Sequence, residues 1–189
     1  MEKISVLTFG AGAIGTYVGG SLALSGHKVV FIEQATVVED LKKRGMSLEL
    51  SLDERRHTSL PFNLPPSRFT IVSSLEEALK HGPFDAAIFA LKSFDTVPAL
   101  EAMQPYVAQM PPVLCLQNGV ENEVRLAEAL GAEKVLTGTL TSSVGKLGAG
   151  NIILERLRGV GIATGTNTEL NRLAERLVAG GRRAHPAGR

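Results

Sequence analysis

The sequence has little sulfur and no tryptophan. One cysteine, Cys115, is present among 189 residues, which excludes an intramolecular disulfide and a cysteine-rich metal cluster. Aromatic residues make up only 5% of the chain, whereas hydrophobic residues make up 44%. The core is therefore expected to be aliphatic, as is typical of buried parallel strands.

Neither sign of charge dominates, and no apolar run is long. The 20 basic and 19 acidic residues give a net charge of +1, so nothing suggests nucleic acid or an anionic membrane as a partner. No run could span a bilayer, and the first residues indicate a strand rather than a signal peptide. We therefore expect a cytoplasmic protein. No metal site is expected, because the histidines lack ligand spacing; they are His27, His57, His81 and His185.

Strand-like and helix-like segments alternate through the first 131 residues. Apolar runs predict buried strands at 3–9, 28–33, 85–92 and 111–119. Helical spacing follows the first run, and helices are also predicted at 36–45, 74–83 and 121–131, with Ser74 and Glu77 in capping-box spacing. This alternation predicts an α/β domain of Rossmann type, with a doubly wound and mostly parallel sheet.

Two regions depart from this alternation. Residues 46–73 combine a strand-like alternation with a proline-broken loop, and three strands without intervening helices follow residue 135. These three are predicted to extend the sheet in antiparallel fashion. A helix is predicted at 166–181, with Thr166 and Glu169 as its capping box. We expect residues 1–181 to form one dinucleotide-binding domain and 182–189 a tail or linker stub.

A glycine motif directly follows the first strand and opens the first helix. G-x-G-x-x-G spacing permits a tight turn, close approach of the backbone to a pyrophosphate, and close packing of helix on strand. The helix N-terminus then offers N–H groups to the phosphates. Such glycines can also form a plain turn, but the strand, the helix and a later acid favour a dinucleotide cradle. The predicted cradle comprises Gly10, Ala11, Gly12, Ala13, Ile14 and Gly15.

The acid at the end of the second strand bears on which cofactor binds. Glu33 is followed by Gln34. A carboxylate there can accept hydrogen bonds from a ribose 2′-OH, which favours NAD, and it repels a 2′-phosphate. Glu33 could instead be a solvated strand-end acid. The cations at 42–44 are expected to face solvent, with a phosphate contact as the alternative.

Polar residues follow the next two buried strands. Lys92 lies just past one strand end and Asn118 at the end of the next. Ligands of open α/β sheets bind outside the carboxyl ends of the strands, so both residues are predicted to face the crevice beside the glycine loop. Either residue alone could be an ordinary turn residue.

Four segments together resemble the ketopantoate reductase family, the 2-dehydropantoate 2-reductases of pantothenate biosynthesis. They are GAGAIG, ALKSFDT, LQNGVENE and TGTLTSSVGKLGAGNI, in this order. The resemblance implies NADPH-dependent reduction of a small 2-keto acid to a 2-hydroxy acid. It also implies that Lys92 and Asn118 lie near the nicotinamide ribose and the substrate. Further cofactor contacts are implied at Leu91, Gly119, Ser143 and Val144.

The sequence departs from the family pattern in two respects. Glu33 and Gln34 stand where the family usually carries an arginine for the 2′-phosphate, so NAD is possible instead of NADP. The family's general-acid lysine belongs to a helical C-terminal domain and aligns beyond Arg189. We expect that domain to be absent here, and no catalytic residue is assigned with certainty. The alternative is a non-catalytic dinucleotide-binding module or a truncated product. Apolar surface that the helical domain would cover also predicts a homodimer or poor solubility.

Overall fold

A computed structural model describes residues 2–56, 60–117, 121–163 and 167–180. The helices within these ranges are α1 (Ala13–Leu24), α2 (Ala35–Arg44), α3 (Leu75–Leu79), α4 (Thr96–Met103), α5 (Asn122–Leu130) and α6 (Thr168–Gly180). The strands are β1 (Ser5–Phe9), β2 (Lys28–Ile32), β3 (Met46–Glu49), β4 (Phe62–Leu64), β5 (Thr70–Val72), β6 (Ala86–Phe89), β7 (Val113–Cys115), β8 (Val135–Leu140), β9 (Ser143–Gly148), β10 (Asn151–Arg156) and β11 (Val160–Ile162).

A seven-stranded sheet forms the centre of the fold. Its strand order is β11-β8-β7-β6-β1-β2-β5. All neighbours pair in parallel except β11, which pairs antiparallel with β8 at one edge. The predicted fold class is therefore confirmed: the sheet is doubly wound and mostly parallel, with an antiparallel extension.

The strands of this sheet are buried on both faces. Along β1, Val6 packs into the cluster that contains α1, whereas Leu7 and Phe9 pack into the cluster that contains Met103 of α4. This alternation follows from the two-residue period of a strand. Because α1 follows β1 on one face and α4 follows β6 on the other, the strand order reverses between the neighbouring strands β1 and β6. Ligands of open α/β sheets bind at such a switch point.

A second sheet of four strands covers the α1 face. Its order is β4-β3-β10-β9. Of the three strands expected from residue 135 to extend the main sheet in antiparallel fashion, only β11 does so. The expectation was wrong for β8, which pairs in parallel with β7, and for β10, which pairs in parallel with β3 of the second sheet. The strand-like alternation of β3 was interpreted correctly, while the supposed proline-broken loop contains β4. Helix α1 fits closely against this sheet, since a Cβ at Gly20 would lie 2.8 Å from Leu48 Cδ2.

The helix caps agree with one prediction and modify another. The Ser74 hydroxyl accepts the Glu77 N–H at 3.2 Å, as predicted. Helix α6 begins at Thr168, and Asn167 Oδ1 caps it by accepting the N–H groups of Glu169 and Leu170. Thr166, the expected cap, lies outside the described residues.

Residues 181–189 lie outside the described residues as well. The predicted boundary between domain and tail at 181/182 therefore stays a prediction. None of the helices in the described ranges has the length and apolarity that spanning a membrane requires.

Candidate dinucleotide-binding site

The glycine loop crosses from the carboxyl end of β1 to the start of α1. Gly10 has a φ of +91°, a left-handed conformation that favours glycine. Its N–H donates to the Ile32 carbonyl oxygen at the end of β2, at 3.0 Å. The loop therefore lies across the carboxyl ends of β1 and β2, where the doubly wound sheet places a nucleotide.

Gly12 and Gly15 lack side chains for different reasons. A Cβ at Gly15 would overlap the carbonyl oxygen of Gly10, so the contact between helix and loop requires glycine there. A Cβ at Gly12 would meet nothing within 4 Å. The fold itself does not need glycine at position 12. This open approach to the backbone fits a pyrophosphate that occupies the space a side chain would fill.

The first turn of α1 supplies no anionic side chain of its own to compensate the helix N-terminus. The first helical hydrogen bond runs from the Thr16 N–H to the Gly12 carbonyl oxygen at 2.9 Å. The N–H groups of residues 13–15 therefore precede the hydrogen-bond ladder of the helix. No side chain caps α1, and its first turn contains no acidic residue. A helix of twelve residues with such a start offers unpaired backbone N–H groups and the positive end of its dipole to an anion.

Glu33 lies against the glycine loop. Its Oε2 accepts the Ala11 N–H at 2.8 Å, and its Oε1 accepts the Gln34 N–H at 3.0 Å. Glu33 is half-buried, so it is not simply a solvated strand-end acid. It holds the edge of the loop at the point where the adenosine ribose of a dinucleotide would lie.

Leu91 and Lys92 approach the loop from the other side of the switch point. A Cβ at Gly10 would lie 3.0 Å from Leu91 Cδ2, so the segment that directly follows β6 touches the loop. Lys92 follows this contact and is exposed. The structure thus brings Gly10–Gly15, Glu33, Leu91 and Lys92 to one edge of the sheet. Asn118 and Gly119 lie outside the described residues.

A buried polar network that we did not predict ties this edge together. Gln117 Nε2 donates to the Leu91 carbonyl oxygen at 2.8 Å and to Thr96 Oγ1 at 3.0 Å. The Thr96 hydroxyl in turn lies 3.3 Å from Asn122 Oδ1. All three polar side chains are buried. The network fixes the end of β6, which carries Lys92, relative to the end of β7 and the starts of α4 and α5.

Ser143 and Val144 begin β9, three residues beyond the end of β8. The Ser143 hydroxyl donates to Glu155 Oε2 at 2.8 Å, and Val144 packs on the core beneath α1. Beyond the far end of β9, the Gly150 N–H donates to the Ala11 carbonyl oxygen at 3.0 Å. The second sheet therefore contacts the glycine loop through Gly150. The cofactor contacts that the resemblance implied at Ser143 and Val144 stay predictions.

Cys115 and a separate cavity add no chemistry to this edge. Cys115 is fully buried, as predicted, and burial raises the pKa of its thiol to about 11. A cavity of about 570 Å³ lies beside α1 and contains none of the predicted site residues. Its lining includes Tyr17, Ser21, Arg55, Leu114, Arg158 and Leu177. The site is therefore defined by loop geometry and not by this cavity.

Comparison with known proteins agrees with the geometry. The family model for ketopantoate reductase PanE/ApbA matches residues 6–166. The chain belongs to the ketopantoate reductase family. It is 32% identical over 162 residues to a 2-dehydropantoate 2-reductase of Pyrococcus horikoshii, which covers 84% of this chain and 46% of the relative. It is 29% identical over 132 residues to the uncharacterized oxidoreductase YkpB of Bacillus subtilis, which covers 70% of this chain and 39% of the relative.

A solved structure of the same family has the same fold. The PanE/ApbA family ketopantoate reductase of Ralstonia eutropha JMP134 superposes with a TM-score of 0.75 at 29% identity, over 94% of this chain and 54% of that one. The chain thus spans between 39% and 54% of the length of these three relatives.

Proposed function

We propose that this chain binds a nicotinamide dinucleotide and presents it for reduction of 2-dehydropantoate, or a similar 2-keto acid, to the 2-hydroxy acid. The observation that carries the proposal is the open backbone at Gly12 beside the uncapped start of α1. Membership of the ketopantoate reductase family supports the substrate class. Relatives named 2-dehydropantoate 2-reductase support it further.

In this proposal, the residues of the cradle bind the pyrophosphate through backbone N–H groups. Gly10 sets the turn, Gly12 leaves room for the phosphates, and Gly15 holds α1 close enough for its N-terminus to face them. Every contact is made by the main chain, so the site depends on which positions lack side chains rather than on which side chains are present.

We further propose that NADH is preferred to NADPH, although the family resemblance implies NADP. The Glu33 carboxylate stands at the ribose position and would repel a 2′-phosphate. A compensating cation is not evident at Arg44, whose guanidinium bonds Asp40 Oδ2 at 2.7 Å and the Ala149 carbonyl oxygen at 2.6 Å. The arginine that would pair with a 2′-phosphate has no counterpart at Gln34.

Lys92 and Asn118 are proposed to bind the nicotinamide ribose and the keto acid. A bound nicotinamide supplies the hydride for the ketone carbon. The Lys92 ammonium offers three N–H donors to ribose hydroxyls or to the substrate carboxylate. No residue of this chain is assigned the role of proton donor, which the family resemblance gives to a lysine aligned beyond Arg189.

Oxidation of NADH or NADPH in the presence of 2-dehydropantoate tests this proposal. Because no proton donor is assigned within this chain, we expect the absorbance of the reduced nicotinamide to fall slowly with the parent chain, and more slowly still with Lys92→Met. Cofactor binding without turnover would assign the chain to binding alone, the alternative considered from the sequence. Absence of both binding and turnover would refute the proposal. Cytoplasmic location and a homodimer stay predictions.

A further inference from the structure

Phe94 is exposed beside Lys92. Its side chain is 74% exposed, although it is a large apolar group on a short turn at Ser93–Asp95. The Lys92 Nζ lies 5.5 Å from the centroid of the Phe94 ring. This distance is within the range of a cation–π contact, in which the ring face attracts the ammonium. Phe94 belongs to neither hydrophobic cluster of the core, so Lys92 is the neighbour whose contact bears on its role.

The position of Lys92 assigns it to one half of a bound dinucleotide. The glycine loop receives the pyrophosphate, and Glu33 at the end of β2 marks the adenosine side. The crevice continues past β1 to the end of β6, because the strand order reverses between these two strands. Lys92 stands at that end, one residue after the contact of Leu91 with Gly10. In the proposed function, the nicotinamide half would therefore face Lys92.

We propose that Phe94 is a positioning residue, which holds the Lys92 ammonium toward the nicotinamide half of the cofactor. A lysine side chain has four rotatable bonds, and ordering it on binding costs conformational entropy. An ammonium already held over an aromatic face has lost part of that freedom before the cofactor arrives. Phe94 thus acts through Lys92 and needs no cofactor contact of its own. This inference rests on the proposed function.

Calorimetric titration of the 189-residue chain with NADH and, separately, with ADP tests the inference. ADP reaches the glycine loop and the adenosine side but lacks the nicotinamide half. Phe94→Leu keeps an apolar side chain without the aromatic face, while Phe94→Tyr keeps the face. Both are compared with the parent chain and in a Lys92→Met background, which gives a double-mutant cycle.

We expect Phe94→Leu to weaken NADH binding about two- to five-fold, which is the range of an exposed cation–π contact. ADP affinity should not change, Phe94→Tyr should bind NADH like the parent, and Phe94→Leu should have no effect in the Lys92→Met background. An equal loss for ADP, an unchanged NADH affinity, or a loss that persists without Lys92 would overturn the inference alone. Failure of the parent chain to bind NADH would overturn the proposed function and the inference together.

Discussion

The Glu33 carboxylate accepts the Ala11 N–H of the glycine loop at 2.8 Å. This bond joins the end of β2 to the turn that leaves β1. It places a negative charge at the edge of the proposed cradle, on the adenosine side. The same carboxylate that bonds the loop is therefore the group that, in the proposed site, would disfavour a second phosphate.

Replacing Glu33 with glutamine should reduce the preference for NADH over NADPH. The amide of the new side chain could still accept the loop N–H through its carbonyl oxygen, but it would not repel a 2′-phosphate. We expect the ratio of the NADPH and NADH dissociation constants to fall about ten-fold, the scale of one nearby charge in a partly solvated site. Fluorescence titration of the reduced cofactors measures this ratio.

Glu39→Gln is the matched control for this experiment, because Glu39 is exposed on α2 and lies outside the proposed site. It should leave the ratio unchanged. A ratio equally unaffected by Glu33→Gln would mean that the carboxylate does not discriminate between the two cofactors.

Gly15→Ala and Gly12→Ala should differ in stability. The added Cβ at Gly15 would overlap the Gly10 carbonyl oxygen, whose backbone cannot move without shifting α1 from the loop. We expect a loss of about 3 kcal/mol in the free energy of unfolding, the upper range for overpacking. Urea denaturation measures this loss.

Gly12→Ala should change the free energy of unfolding by less than about 1 kcal/mol, because two small effects of the substitution oppose each other. Gly12 has a φ of −75°, which alanine adopts readily, and its Cβ would meet open space. Alanine is a poorer N-cap than glycine, but it also reduces the freedom of the unfolded chain. Equal losses for the two variants would contradict the geometry described for the loop.

Gln117→Leu should destabilise the fold although it is close to isosteric and more apolar. It would leave the Leu91 carbonyl oxygen and Thr96 Oγ1 without the donor that they share. We expect a loss of about 1–3 kcal/mol, the cost of unsatisfied buried polar groups. For a chain of this size that corresponds to a decrease in Tm of roughly 2–4 °C per kcal/mol.

Gln104→Leu is the comparison for Gln117→Leu, since Gln104 is exposed after α4. It should leave Tm nearly unchanged in a thermal unfolding experiment. A Gln117→Leu variant as stable as the parent would show that the network does not hold the β6 and β7 ends together.

His27 should make stability depend on pH below neutrality. Burial lowers the pKa of His27, and the positive charges of Arg176, Lys3 and the amino terminus lower it further. Its Nδ1 accepts the Ile4 N–H at 3.2 Å, which requires the neutral ring. The unfolded state therefore binds the proton more readily than the folded state.

The contribution of His27 to stability is fully present above the unfolded pKa of about 6.5, and it is lost as pH falls from there toward the lowered folded pKa. Urea unfolding at about one pH unit above and one below this value measures the loss. His27→Gln should lose less free energy of unfolding across this interval than the parent. Equal losses of unfolding free energy in the two proteins would show that a group other than His27 causes the loss of stability at acidic pH.

The parts of the fold that the sequence predicted are those encoded locally. The strand before Gly10, the helix at Gly15 and the acid at position 33 each occupy a short segment, and the structure has all three where they were predicted. Their combination is what predicted the cradle. Serine at 74 and glutamate at 77 likewise predicted a cap from adjacent residues. The four ordered motifs that resemble ketopantoate reductases predicted the family, and the family model confirms it.

The missed features depend on contacts between distant segments. Ile152 of β10 pairs with Leu48 of β3. The residues of these two strands do not indicate which of the two sheets each strand joins. The network of Gln117, Thr96 and Asn122 spans the end of β7 and the starts of two helices. The one signal in the sequence was a polar glutamine, Gln117, just after an apolar strand. That signal does not predict which residues the glutamine side chain bonds.

The measurement that tests the central claim most directly is the affinity of the intact chain and of Gly12→Ala for NADH, with the unfolding curve of each. We predict saturable binding by the intact chain and at least about ten-fold weaker binding by Gly12→Ala at nearly unchanged stability, because the methyl group would occupy the space of the pyrophosphate. No binding by the intact chain, or equal affinity of the two proteins, would contradict the claim that this loop is a dinucleotide cradle.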